Sequence, residues 1–434
     1  MIADSIIYND RQANEAKAAI QEIDLALSSR ETLERIVEGL PIQAVEGVNR
    51  ALQSERNKLK ELVTLYEGAK AGAAHELLAH VQGDMGSLLI AARISKGLTQ
   101  RELAHQLGLR EQAVQRYEAD RYRSISLSNF QKFASVLGVR WKFDVEQTLR
   151  ERFGLKYDVS PGEMKKIIKH ARSHNWLNKN TVSEESAVSQ IRKTVADHVV
   201  RHGTPSLLRT GLNVIDHSED WLLLSWKAQV TLRSEKKIAE GLPKYNPLNV
   251  KWLLDLVKLS REPDGPKQAE ELLRQHGIVL VIEPQIEGMK VDGAAFLVDD
   301  VPVVALTLRI DTIDNFWFSL LHEVAHVVLH YRVGLSSGFF DEFGELRSVD
   351  ELEDEANRFA GNLLIPEERW KRSPARISKN ADPIEAFARS IGVHPAIVFG
   401  RVRMERNNYA LFSNKIGRGS IRRQFLPDKG VDHD

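Results

Sequence analysis

A helix that is apolar almost all round, yet carries histidines and a glutamate, constrains this chain more than any other feature. It runs from Phe316 to His330 and reads FWFSLLHEVAHVVLH. A helix that is hydrophobic on every side is expected to be buried, and buried imidazoles and carboxylates are costly without partners. The pattern therefore predicts a core helix that carries a polar site into the interior.

Three side chains on this helix, His322, Glu323 and His326, form an H-E-x-x-H motif. Residues four apart lie on one face of a helix, so both imidazoles can bind one metal ion. Glu323 can then accept a proton from a metal-bound water. In a chain with 14 histidines and 60 acidic residues, the motif arises by chance roughly 0.03 times. We predict a zinc site, with core histidines that have protein partners as the alternative.

The third zinc ligand must be a histidine or a carboxylate, because the chain has no cysteine. The same absence excludes disulfides, cysteine zinc fingers and thiol nucleophiles. His330 lies about 12 Å from His322 along the helix axis, which is too far for both to bind one ion.

A carboxylate on a later helix is the better candidate for the third ligand. The segment DELEDEANRFAGNLL at 350–364 predicts an amphipathic helix. Glu355 lies on its apolar face, whereas Glu353 lies at the edge of that face. A carboxylate on a buried face needs a partner, so we favour Glu355 as the ligand and keep Glu353 as the alternative.

Residues 248–405 resemble the ImmA/IrrE family of metallopeptidases. The matching stretches are DGAAFLVDDVPVVALTLR, DNFWFSLLHEVAHVVLH, DEANRFAGNLLIP and AFARSIGVHPAIVFGRV. The resemblance implies a small zincin fold, with the H-E-x-x-H helix on a sheet and a glutamate ligand from a later helix. It implies His322, His326 and Glu355 as Zn²⁺ ligands, Glu323 as the general base, and repressor-like or antitoxin-like proteins as substrates.

Apolar runs before this helix predict a helix over 251–276 and then strands at Ile278–Ile282, Ala294–Val298 and Val303–Leu308. The last two strands should form a hairpin. We expect Val303–Leu308 to lie nearest the metal helix and to align an extended substrate by strand addition. The group that stabilises the oxyanion is not identified by any pattern, although the sequence positions of three residues make them candidates: His330, Tyr331 and Arg309.

A second pattern occupies residues 88–143, which contain ten basic and four acidic residues. The local net charge is therefore 10 − 4 = +6, in a chain whose overall net charge is zero. Such a patch suits phosphate binding, although a solvated surface would explain the charge as well. The basic residues are Arg93, Lys96, Arg101, Arg110, Arg116, Arg121, Arg123, Lys132, Arg140 and Lys142.

Local signals within this block predict a helix-turn-helix. Thr99 can cap a helix with Glu102 in the capping-box position, Gly108 can form the turn, and Val114 and Tyr117 can anchor the second helix, which would enter the major groove. The segment GLTQRELAHQLGLREQAVQRYEADRY resembles the XRE-type helix-turn-helix of HigA-like antitoxins. Asp120 stands where that family often has glycine, and aspartate tolerates left-handed backbone. We predict binding of double-stranded DNA, with a role in protein contacts alone as the alternative. The candidate DNA-binding residues are Gln100, Arg110, Gln112, Gln115, Arg116 and Arg121.

The chain length of 434 residues argues for several domains. We predict a mainly α protein with a small α+β zincin-like domain. Its parts are a helical hairpin or coiled-coil-like region (1–80), an XRE domain (85–145), a helical connector (146–245), a metallopeptidase domain (246–410) and a basic tail (411–434) that includes the frayed stretch KIGRGSIRRQF.

A near-heptad apolar stripe at 45–66 is interrupted by Glu55. It can be buried by another helix of the same chain or in a homodimer. The histidine pairs His170/His174 and His198/His202 lie on polar helices and are expected at the solvated surface. The stripe consists of Val45, Val48, Leu52, Leu59, Leu62 and Tyr66.

The N-terminus does not resemble a signal peptide, and no apolar run reaches the ~20 residues of a membrane span. We therefore expect a cytoplasmic protein without a membrane partner. The combined prediction is a transcription regulator whose zinc endopeptidase cleaves a repressor-like or antitoxin-like protein in a stress, mobile-element or phage-related response. The alternative is an antitoxin or repressor with a toxin partner, whose zinc site senses or stabilises.

Overall fold

The structure is a computed structural model that describes residues 6–81, 85–122, 124–140, 159–178, 181, 183–202, 221–331, 335 and 349–426. These residues are mainly α-helical with one three-stranded sheet, as predicted. The helices are α1 (Asp10–Ser28), α2 (Arg30–Ile36), α3 (Ile42–Lys70), α4 (Ala74–His80), α5 (Met85–Ser95), α6 (Gln100–Leu107), α7 (Glu111–Ala119), α8 (Leu127–Leu137), α9 (Pro161–Ser173), α10 (Glu184–His202), α11 (Trp221–Ala239), α12 (Trp252–Lys258), α13 (Gly265–Gln275), α14 (Ile313–His330), α15 (Val349–Leu364), α16 (Glu367–Lys371), α17 (Ala381–Ile391), α18 (Pro395–Glu405) and α19 (Arg422–Phe425). The strands are β1 (Val279–Ile282), β2 (Gly293–Val298) and β3 (Val301–Leu306), and 3₁₀ turns lie at Leu259–Arg261 and Pro374–Arg376.

Helix α3, with 29 residues, packs on elements from both ends of the chain. Helix α1 lies along it, and α14 and α15 of the C-terminal half also contact it. The predicted stripe is therefore used inside the chain: Val48, Leu52 and Tyr66 are buried, and so is Glu55, the polar residue that interrupts it.

Helices α5–α8 contain the predicted helix-turn-helix. Thr99 and Glu102 form the capping box, and Gly108 ends α6 with a left-handed φ of 64°. Asp120 has a φ of −91°, so the expectation of left-handed backbone at this position is wrong. The left-handed residues are its neighbours Arg121 and Tyr122. Two members of the predicted basic patch, at positions 123 and 142, lie outside the described residues.

A buried ion pair joins α5 to α7 inside this block. Arg93 Nη2 donates to Glu118 Oε2 at 2.7 Å, and both side chains are almost fully buried. The same carboxylate oxygen accepts from the Gln100 amide at 2.7 Å. Arg93 also donates to the carbonyl of Tyr8, just before α1, so this pair ties the helix-turn-helix to the N-terminal helices.

The sheet has the order β1-β3-β2, with β1 parallel and β2 antiparallel to β3. The predicted hairpin is confirmed: Asp299 and Asp300 connect its strands with φ of 48° and 66°, as a type I′ turn requires. Strand addition to β3 is excluded, because β3 is central and both its edges are already paired. The edge strand on the hairpin side is β2.

Alternate residues of the strands face two hydrophobic clusters, one shared with α14 and the other with α9–α11. Because the connector helices cover one face of the sheet, the expectation of solvated histidines there is wrong for His170 and His198, which are 8% and 5% exposed. His170 stacks on His174 with ring centres 3.9 Å apart. The side chain at position 202 lies outside the described part of the chain.

Two further expectations are wrong. The helix expected over 251–276 is divided by the 3₁₀ turn and restarts at Gly265 with Pro266 in its first turn, a position where proline's missing N–H costs nothing. The stretch expected as a frayed tail packs on the protein: Ile416 and Ile421 are 2% exposed, and the Ile416 carbonyl accepts from Ile313 N.

Among the described helices, none combines the length and apolar composition of a membrane span.

Candidate metal centre and nucleic-acid interface

Helix α14 is buried along nearly its whole length, as its sequence predicts. It packs on β2, β3, α3, α15 and α18. His322, Glu323 and His326 are each 0% exposed. The apolar residues between them supply the packing contacts, and the i, i+4 spacing places both imidazoles on the side that faces α15.

The two imidazoles and one carboxylate of α15 form a small triangle of metal-binding atoms. His322 Nε2 and His326 Nε2 are 3.0 Å apart. Glu353 Oε2 lies 3.2 Å from His322 Nε2, and Glu353 Oε1 lies 3.5 Å from His326 Nε2. A tetrahedral zinc with ligands at 2.0–2.2 Å would hold such atoms about 3.3 Å apart, so the spacing suits one ion. Within the described ranges, this is the one such group of His and acidic side chains.

The chemistry of this triangle also suits a cation. Both Glu353 carboxylate oxygens are buried and have no hydrogen-bond partner among the described residues. Burial lowers the pKa of His326 to about 4. Burial also acts to lower the pKa of His322, but Glu353 and Glu323 beside it raise that pKa above its ordinary value. Burial works to raise the pKa of Glu353, but His322 and His326 beside it lower the value to about 2. A neutral imidazole and an ionised carboxylate are the forms that bind metal.

Glu355, the favoured third ligand, lies outside this triangle, and Glu353 takes the place expected for it. Glu355 Oε1 accepts from Arg50 Nη2 of α3 at 2.5 Å, and its Oε2 lies 3.3 Å from His330 Nε2. Helix α15 packs on both α14 and α3, so its buried surface is wide enough for one glutamate to face each neighbour. Reasoning from a single apolar face could not separate the two.

A chain of polar contacts continues behind His326. Its Nδ1 lies 3.1 Å from His330 Nδ1, His330 contacts Glu355, and Glu355 contacts Arg50. His330 therefore contacts the ring nitrogen that points away from the triangle, in agreement with its exclusion as a ligand. Sequence reasoning missed Arg50, which is 305 residues from its partner and carries no local signal.

Two family models match the chain. Residues 89–143 match the helix-turn-helix model, and residues 273–397 match the IrrE N-terminal-like domain. The chain joins an XRE-type helix-turn-helix to an IrrE-like domain. Both predicted resemblances are thereby confirmed. The triangle of His322, His326 and Glu353 lies within the IrrE-like segment. No curated protein and no solved structure matches the chain.

In the IrrE-like domain, Glu323 lies directly against β2 at Gly293. A Cβ atom at position 293 would come within 2.7 Å of Glu323 Oε1. The glycine therefore makes the space that the carboxylate occupies. No sequence signal separates this glycine from others that begin a strand.

The three candidates for oxyanion stabilisation make other contacts. The Tyr331 hydroxyl donates to the Asp300 carbonyl at 2.9 Å. Arg309 makes two hydrogen bonds to Asp292, at 2.8 and 3.0 Å. His330 contacts His326 and Glu355. Their role in catalysis stays a prediction.

The helix-turn-helix domain presents four of the six candidate DNA-binding residues on an exposed face. These are Arg110, Gln112, Gln115 and Arg116. The other two are half-buried and held by the protein: Gln100 donates to Glu118, and Arg121 Nε donates to the Tyr8 hydroxyl at 3.1 Å.

Proposed function

We propose that the protein is a DNA-binding transcription regulator with a zinc-dependent endopeptidase site that cleaves a repressor-like or antitoxin-like protein. The observation that carries the proposal is the buried triangle of His322, His326 and Glu353, with Glu323 directly after His322 in the same helix. A purely structural zinc would not need Glu323. The matched IrrE-like and helix-turn-helix segments support the two halves of the proposal.

In the mechanism, His322, His326 and Glu353 would hold the metal ion. Zinc, when bound, lowers the pKa of a coordinated water and polarises the peptide carbonyl. Glu323 accepts the proton of the attacking water and passes it to the leaving amine nitrogen. The position of Glu323 against Gly293 fixes where that proton is received, since the buried carboxylate is packed against the β2 backbone.

An extended substrate would add to the outer edge of β2 by backbone hydrogen bonding. Strand β1 is the less suitable edge, because its carbonyls at Leu280 and Ile282 already accept from Lys237 Nζ and Arg233 Nη1. Strand β2 begins at Gly293, beside Glu323. A peptide paired along β2 would therefore have its scissile bond near Glu323, the general base.

In the helix-turn-helix domain, α7 would enter the major groove. Gln112 and Arg116 carry the amide and guanidinium groups that pair with adenine and guanine edges. Arg110, at the N-terminus of α7, would contact phosphate. Two copies of the chain on a palindromic operator would account for the expected homodimer.

The decisive experiment compares the wild type with Glu323→Gln, which removes the proton acceptor and retains the side-chain size. Zinc content and DNA affinity should be unchanged, while proteins that disappear on expression of the wild type should persist with the variant. General-base loss costs ~10²–10⁴ in rate. If the same proteins disappeared with Glu323→Gln, the peptidase proposal would be refuted. An antitoxin or sensor role would then be favoured.

A further inference from the structure

A cleft of about 1090 Å³ lies between the helix-turn-helix domain and the opposite wall formed by α11 and β2. Gln115 and Arg116 line one side, and Lys227 and Phe296 line the other. None of the metal-binding residues lines the cleft. Its volume is close to the upper end of small-molecule sites, which occupy ~300–1,000 Å³.

The wall formed by α11 contains two buried polar side chains, one without a hydrogen-bond partner and the other without a counter-charge among the described residues. Lys227 and Thr231, one helical turn apart, are 7% and 2% exposed. Among the described residues, no carboxylate forms an ion pair with Lys227, although Asp299 and Asp300 line the same cleft. Thr231 Oγ1 has no hydrogen-bond partner in the described part of the protein. Buried polar groups are nearly always satisfied, so these two donors indicate a ligand that supplies acceptors.

Apolar surface adjoins these donors and defines the other half of a ligand. The Lys227 ammonium lies 4.9 Å from the centre of the Phe296 ring, and Leu297 also lines the cleft. Burial lowers the pKa of Lys227 to about 7, so the amine is partly neutral near physiological pH. A negative charge beside it would favour the ammonium form.

We propose that this cleft binds a small aromatic carboxylate. Its oxygens would accept from Lys227 Nζ and Thr231 Oγ1, and its ring would pack against Phe296 and Leu297. A phosphate would satisfy the donors but not the apolar wall, and a neutral aromatic molecule would leave Lys227 without a counter-charge. The aromatic carboxylate meets both requirements.

The position of the cleft also gives the ligand an effect on DNA binding, a consequence that rests on the proposed function. Gln115 and Arg116 of α7 line the cleft and are also candidate contacts to base edges, so in the present, closed arrangement α11 and β2 lie opposite two side chains that would contact DNA. On this proposal, separation of the two walls favours DNA binding. A ligand that favours the closed arrangement must therefore weaken DNA binding, because linkage is reciprocal.

The test uses the full chain and 2-naphthoate as the probe, with 2-naphthamide as its neutral counterpart. Calorimetry should show one 2-naphthoate site per chain, with binding to Lys227→Met and Thr231→Val about tenfold to a hundredfold weaker. Lys236→Met, which removes an exposed lysine of the same helix, should bind like the wild type. Circular dichroism melts verify that each variant is folded.

Equal affinity of the wild type and Lys227→Met for 2-naphthoate would overturn the proposed site, and so would equal affinity for 2-naphthoate and 2-naphthamide. A separate experiment measures DNA binding. Saturating 2-naphthoate should lower the affinity of the wild type for its operator but should not lower that of Lys227→Met. Unchanged operator affinity at saturation would overturn the coupling. If the wild type bound no operator in the absence of 2-naphthoate, the proposed DNA-binding function would be refuted instead.

Discussion

Replacing Gly293 with alanine tests whether the position of Glu323 controls hydrolysis. The added Cβ would lie 2.7 Å from Glu323 Oε1 and 2.8 Å from its Cγ. Carbon atoms in good contact are about 3.5–4.0 Å apart, so the carboxylate must retreat by about 0.7 Å or more. The backbone at Gly293 is ordinary strand, which alanine adopts freely, so any effect arises from this contact.

The expected magnitude follows from the size of that displacement. A misplacement of about 1 Å at a catalytic group can cost ~10²-fold in rate, and general-base catalysis supplies ~10²–10⁴ in total. We expect Gly293→Ala to lower kcat/KM about 100-fold. Zinc content and DNA affinity should stay at wild-type values, because the variant touches neither a metal ligand nor α7.

The assay is cleavage of fluorescein-labelled casein or of the target protein found in cells, with zinc measured by mass spectrometry. Gly361→Ala on α15 is the matched control: its Cβ would lie 3.8 Å from Arg401 Nη1, an ordinary contact, and alanine favours helix by ~1 kcal/mol. A Gly293→Ala protein that is folded, zinc-loaded and as fast as the wild type would refute the reasoning that this contact places the general base.

Three further predictions concern the metal centre, stability and pH. Glu353→Gln should lose zinc, whereas Glu355→Gln should keep it with ~10–100-fold weaker affinity, as measured by chelator competition. Loss of zinc in Glu355→Gln but not in Glu353→Gln would restore Glu355 as the ligand. Arg93→Met leaves the Glu118 carboxylate buried without its partner, which should cost about 3–5 kcal/mol in urea unfolding of the helix-turn-helix; a loss below about 1 kcal/mol would contradict a buried ion pair. The folded pKa of Lys227, about 7, lies below its ordinary value of 10.5, so between these values the unfolded chain binds more protons and the free energy of unfolding rises with pH. Lys227→Met should remove that rise, and an unchanged pH profile would exclude Lys227 as its source.

Features that depend on local sequence could be predicted. The H-E-x-x-H helix is visible because its apolar residues surround two imidazoles at helical spacing. The capping box of Thr99 and Glu102 and the turn at Asp299–Asp300 are set by residues a few positions apart. In each case the physical cause lies within one helix or one turn.

Features that depend on which elements meet could not be predicted. The carboxylate oxygens of Glu353 and the side chain of Glu355 are both buried because α15 packs on α14 and on α3. Sequence periodicity shows only that a face is buried. The central position of β3 depends on strand order, which apolar runs do not contain. His170 is buried because the connector covers the sheet, although its own helix is polar.

Arg50 is where the N-terminal helices reach the metal centre, and it lies outside both family-matched segments. Its guanidinium makes two contacts with Glu355 Oε1, at 2.5 and 3.1 Å, and Glu355 lies against His330, which contacts His326. Outer contacts of this kind fix the ring orientation of a metal-bound histidine, and their loss typically costs 10–100-fold in metal affinity. The Arg50 side chain is 49% exposed, and two residues, Glu355 and His330, lie between it and His326. The loss of zinc affinity in Arg50→Gln should therefore lie near the lower limit, about tenfold.

The same helix lines the cleft near its other end, through Tyr66 and Lys70. Arg50 and Tyr66 are separated by about 24 Å of continuous helix, so α3 connects the wall of the cleft to the metal centre. Zinc affinity measured by chelator competition in wild type, Arg50→Gln and Arg50→Lys decides whether this contact matters. Arg50→Lys retains the charge but loses the paired geometry, and it should fall between the other two. Identical zinc affinity in all three proteins would show that α3 packs on the metal centre without influencing it.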